Sequence, residues 1–105
     1  MRALTLILAS SDRSRASCAI GLAAAQAALG TASRLHIDAP AISLLADSAL
    51  VAALEEAAAL GVAVSLCPTG LADAAIDPPP VPEAERYGLV TLLAELEDDA
   101  RLLVI

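Results

Sequence analysis

The sequence predicts an α/β domain in which a mostly parallel sheet carries helices on both faces, giving three layers. Three observations point that way. The apolar run Leu4–Ala9 (LTLILA) is continuous rather than alternating, as suits a strand buried on both faces, and Val62–Leu66 (VAVSL) and Arg101–Ile105 (RLLVI) read as further strands. Ala- and Leu-rich segments of helical length separate them, and each parallel step needs such a crossover. The length, 105 residues, fits one domain spanning residues 1–105 and is too short for two.

The elements follow in order from the N-terminus. After the first strand, Ser10, Ser11 and Asp12 can cap a helix over Arg13–Leu29, and Gly30 suits its C-terminal cap. That helix is apolar nearly all round, which predicts burial by more than one neighbour. A second strand is expected over Arg34–Asp38 (RLHID), with Pro40 breaking the pattern after it. Asp47 reads as the cap of a helix over Ser48–Leu60, with Leu50, Leu54, Ala57 and Ala58 inward and Glu55 and Glu56 toward water. Gly61 ends it, and the third strand delivers Cys67, Pro68, Thr69 and Gly70 at its carboxyl end. A short helical turn over Leu71–Ile76 leads into DPPPVPEAE (Asp77–Glu85), whose four prolines predict a stiff surface loop. A helix over Gly88–Asp98 and the final strand complete the order βαβαβ(α)αβ.

Composition removes several function classes. Thirteen acidic residues face six basic ones, all Arg, for a formal charge of −7. Nucleic acid is excluded as a partner, because clustered basic side chains are needed to displace its counterions. The chain has no Phe or Trp and one Tyr, so a base-stacking platform is excluded too, and a flavin would lack its aromatic sandwich. Hydrophobic residues make up 58%, with 26 Ala and 19 Leu, and the mean hydropathy is +0.73. So small a domain must leave many of these at its surface, which predicts a homo-oligomer. The uncharged run Ala16–Ser33 has too few strong hydrophobes for a membrane span. The N-terminal apolar run is followed by Asp12, Arg13 and Arg15 where a signal peptide would have small neutral residues, so a cytoplasmic location is expected, with both cysteines as thiols.

In an open parallel sheet, ligands gather beyond the carboxyl ends of the strands. With a flavodoxin-like strand order, 2-1-3 in the first half, the crevice would lie between the loops after strands one and three. Ser10 and Ser11 in the first loop, and Thr69 and Gly70 in the second, are therefore the candidate substrate-binding residues. Cys67 is the candidate catalytic residue, since a thiol at a helix start can be held as thiolate, the nucleophilic form. The competing reading of Cys67 is a small packed hydrophobe.

The segment GVAVSLCPTGLADAAI (Gly61–Ile76), together with LTLILASSD (Leu4–Asp12) and the Ala-rich helix closed by Leu29-Gly30, resembles the DsrE-like (DsrE/DsrF-like, YchN-like) family of sulfur-relay proteins. The resemblance spans nearly the whole chain. It implies a flavodoxin-like fold with a five-stranded sheet, assembly into trimers or hexamers, and a cysteine that carries sulfur as a persulfide between donor and acceptor proteins. Only Cys67 matches that cysteine. The sequence departs from the family pattern in the loop Asp38-Ala39-Pro40-Ala41 and in the shortened, Pro-rich region after Cys67. Arg13 or Arg15 beside the first loop could supply positive charge to the thiolate.

The remaining polar residues read as structural. Cys18 is expected in the core, His36 as a packed strand residue, and Glu55-Glu56 and Asp98-Asp99 as solvated charges, with Tyr87 a candidate for a subunit contact. One His and two distant Cys make no metal site, and P-loop, G-x-G-x-x-G and G-x-S-x-G signatures are missing, so no cofactor is expected. Two functions remain: sulfur transfer through Cys67, or a non-catalytic small-anion-binding or assembly subunit of the same fold.

Overall fold

The computed structural model describes residues 2–105. The elements are β1 (Leu4–Leu8), α1 (Arg13–Ala28), β2 (Ser33–Ile37), a 3-10 segment (Ala39–Ala46), α2 (Ser48–Ala59), β3 (Ala63–Leu66), α3 (Pro68–Asp73), β4 (Glu85–Arg86), α4 (Leu89–Ala94) and β5 (Arg101–Val104). The five strands form one sheet in the order β4-β3-β2-β1-β5, with every pair parallel. The α/β class with a parallel five-stranded sheet is as expected. The 2-1-3 order is not: β2 lies between β1 and β3, so the loops after β1 and β3 are separated by a whole strand, about 10 Å across the sheet.

Local chemistry sets the helix ends as anticipated. The Asp12 carboxylate accepts from Arg15 N at the start of α1, and Asp47 accepts from Ala49 N and Leu50 N at the start of α2. Gly30 and Gly61 close the two helices with φ of 82° and 106°, a backbone region that L side chains rarely adopt.

Right-handed crossovers in one direction across the sheet place α1 and α2 side by side on one face. The return from β4 to β5 runs the opposite way, which sends α4 to the other face, where Leu92 is buried. Between the sheet and α1/α2 lies the apolar core, built from Leu4, Leu6, Leu8, Leu35, Ile37, Val64 and Leu66 with Ala19, Ile20, Leu50 and Leu54.

Several expectations change. Helix α1 buries only the stripe Ala16, Ala19, Ile20, Ala23 and Gln26; Leu22 is 44% exposed, so this helix has one packed face rather than an all-round burial. Cys18, on the outer side of that helix, is exposed and not a core residue. The chain after Pro40 winds into a 3-10 segment that buries Ala41, Ile42, Leu44 and Leu45. Within the Pro-rich loop, Glu85–Arg86 pairs with β3 as a two-residue edge strand.

Candidate functional site

Side-chain alternation gives the sheet a second face unlike the first. Leu35 and Ile37 of β2 point to the core, so Arg34 and His36 point away from it, and Ser65 does the same between Val64 and Leu66. Register lines up Ile7, His36, Ser65 and Glu85 in one row across four strands. His36 and Ser65 are both fully buried, and His36 Nδ1 lies 2.8 Å from Ser65 Oγ.

Two residues further toward the carboxyl ends, the strand pairing continues. Asp38 N donates to Leu8 O at 3.0 Å, Cys67 N to Ile37 O at 3.0 Å and Tyr87 N to Leu66 O at 3.2 Å. These bonds extend the register into a second row, Asp38, Cys67, Tyr87, with Cys67 between the acid and the phenol. The Tyr87 ring folds back over the first row and stacks on His36, with centroids 5.8 Å apart and planes 15° from parallel. Tyr87 thus has an aromatic partner within its own chain.

The imidazole has an unmatched end. His36 Nε2 is buried with no hydrogen-bond partner among the described residues, and Asp38 Oδ1 is 3.8 Å away, outside bonding distance. Burial pushes the His36 pKa down from its ordinary value of 6.5, and the nearby Asp38 charge only partly offsets this. Ser65, His36 and Asp38 have the residue types of a hydrolytic triad, but Ser65 lies inside a central strand where no substrate can reach it.

Cys67 heads α3 and is 9% exposed. Its side chain makes no capping hydrogen bond to the helix, and Pro68 in the next position has no N–H to offer. Of the other expected site residues, Ser10 accepts from Asp12 N at 3.1 Å and Ser11 is exposed, both in the loop after β1. Thr69 is exposed on α3. Gly70 is buried against the 3-10 segment, where a Cβ would meet Ile42 Cγ1 at 2.7 Å and the Ala39 Cα at 2.9 Å, so close packing accounts for this glycine. Arg13 is committed to Asp47, Nε to Oδ2 2.6 Å, at the head of α2 rather than to the thiol. Among the described residues no group of three or more His, Cys, Asp and Glu could hold a metal ion, and no helix is long and apolar enough to cross a membrane.

Asp38 and the His36 pairing were not singled out in the sequence. The signal was there: RLHID alternates polar and apolar, which puts residues 34, 36 and 38 on one face.

The class these features define is an α/β fold with an all-parallel five-stranded sheet, the DsrE-like architecture that the sequence resemblance implies. The ychN protein from E. coli, a DsrE/DsrF-like protein, has this fold: its crystal structure matches with a TM-score of 0.75 over 100% of both chains, at 20% sequence identity. No protein-family model and no curated protein matches the sequence. At that identity the likeness speaks for the fold.

Proposed function

We propose that the chain is an intracellular sulfur carrier in which Cys67 accepts a sulfane sulfur and passes it to a partner thiol. In the loading step the Cys67 thiolate attacks the outer sulfur of a donor persulfide, R–S–SH. The donor S–S bond breaks, R–S⁻ leaves, and Cys67 holds the sulfur as Cys–S–SH; the reverse attack by an acceptor thiol unloads it with no net oxidation. The observation that carries this reading is the position of Cys67 at the carboxyl end of β3, on the edge of the sheet where parallel α/β proteins carry their ligand loops, although the strand order reverses between β1 and β5. Ser10 and Ser11 after β1 and Thr69 beside the thiol border the same end and form the surface offered to the donor, with Gly70 packed beneath. The test is intact mass after incubation with a persulfide donor: the wild-type protein gains sulfur and Cys67→Ser does not. Equal gain in both removes the proposal.

One observation favours the second reading, a non-catalytic small-anion-binding or assembly subunit: the thiol is 9% exposed and has no hydrogen-bonding side-chain partner in the helix it heads. A chain that gains no sulfur and whose folded Cys67 ignores thiol probes belongs to that class.

Both readings include a homo-oligomer, a trimer or hexamer. Val90 is 85% exposed, and Leu93, Leu102, Leu103 and Val104 also face solvent on α4 and the edge strand β5. Sedimentation at micromolar concentration is expected to show an assembly; monomer alone would refute it.

A further inference from the structure

We propose that a cavity between α3 and β4 binds a small zwitterion, an α-amino acid with a short apolar side chain, with Arg86 taking its carboxylate and Asp77 its ammonium group. The first observation is the cavity itself. It has a volume of about 200 Å³ and is lined by Pro68, Leu71, Ala72, Ile76, Asp77 and Arg86. Four apolar residues and one charge of each sign therefore meet in one place. The volume falls below the ~300–1,000 Å³ of sites for drug-sized ligands, which suits an occupant the size of a single amino acid.

The fold accounts for the meeting. Arg86 pairs with Leu66, so both turn to the same face of the sheet, the side on which Leu71 of α3 joins the core. α3 then ends in a turn in which Ala75 takes a φ of 54° and Ile76 N donates to Leu71 O at 3.0 Å. That turn folds Ile76 back along α3 and carries Asp77 into the same lining. Cys67 is outside this lining, so the site stands or falls apart from sulfur transfer.

The second observation is that neither charge is matched. Arg86 is the only Arg or Lys between Arg34 and Arg101, and Asp73, Asp77, Glu83 and Glu85 flank it in sequence. Even so, the ion pairs among the described residues are Arg13–Asp47 and Arg34–Glu95, with His36 approaching Asp38; Arg86 and Asp77 pair neither with each other nor with a third residue. Opposite charges that share a cavity without touching are answered together by a ligand carrying both. A carboxylate fits the two-pronged guanidinium, and an ammonium donates to the Asp77 oxygens, while the ligand side chain covers Leu71, Ala72 and Ile76. A plain anion would satisfy Arg86 and meet repulsion from Asp77, and a plain amine the reverse.

The experiment titrates the isotope-labelled full chain with L-valine at neutral pH and follows the backbone amides by NMR. Two analogues separate the charges: isobutylamine is valine without its carboxylate, and 3-methylbutanoate is valine without its amino group. Valine is expected to shift the amides of α3, Ile76, Asp77 and Arg86 saturably, and each analogue to bind about tenfold more weakly, the scale of one charged hydrogen-bonded contact. Arg86→Gln is expected to lose about tenfold for valine and nothing for isobutylamine, and Asp77→Asn about tenfold for valine and nothing for 3-methylbutanoate. Both side chains are exposed, so the variants keep the fold, which the same spectra verify. Shifts at the cavity that never saturate overturn the proposal, as does valine binding unchanged in both variants. An analogue that binds as tightly as valine shows that only one charge is read, and overturns the zwitterion.

Discussion

The two faces of the sheet are made from the same strands and solve different problems. Toward α1 and α2, β1, β2 and β3 present Leu4, Leu6, Leu8, Leu35, Ile37, Val64 and Leu66, an aliphatic layer with few hydrogen-bond demands. Toward α4 they present Thr5, Ile7, Arg34, His36 and Ser65, of which Thr5, His36 and Ser65 are as deeply buried as the leucines opposite. Burying polar groups costs stability unless they are paired, and the His36–Ser65 bond meets half of the demand while Nε2 goes unmet. One face therefore supplies cohesion and the other holds groups whose state can change, with Cys67 at its rim.

That contrast can be broken most sharply on the apolar side. Leu35→Ala removes a fully buried side chain between β1 and β3 and is expected to cost about 2–5 kcal/mol in urea unfolding, enough to threaten a domain of this size. A change under about 0.5 kcal/mol, the level of ordinary surface substitutions, would mean that this layer does not carry the fold.

The polar side is expected to show a smaller, pH-dependent effect. Burial lowers the folded-state pKa of His36, so below 6.5 the unfolded chain takes up the proton first. The stabilisation tied to the neutral ring is therefore complete above 6.5 and is lost as pH falls from there through the folded-state value. Urea midpoints compared on the two sides of about pH 6.5 should fall more on acidification for wild type than for His36→Gln. Equal falls would show that the ring is not held neutral by its surroundings.

Much of this was legible beforehand, for local reasons. Asp12, Asp47, Gly30 and Gly61 each act through one or two neighbouring backbone groups, so the helix ends could be read from the residues themselves. The continuous run Leu4–Leu8 announced burial on both faces. The exposed side of α1 was hidden because alanine recurs on both sides of the helix and Cys18, Gly21 and Leu22 stand on the outer one, leaving little amphipathic contrast to read. Strand order and β4 were hidden because they depend on tertiary pairing: Glu85–Arg86 has two charged residues after a proline run, and only the free edge of β3 makes it a strand. At the site, Cys67 could be found from its place after an apolar run, whereas its row with Asp38 and Tyr87 required the register of three strands.

The most direct measurement is peptide-level mass spectrometry of the folded wild-type protein after exposure to a persulfide donor, locating the added sulfur. The account predicts it on Cys67, at the rim of the polar face, even though Cys18 is the more exposed thiol. Sulfur found on Cys18 alone, with Cys67 unmodified, would contradict it.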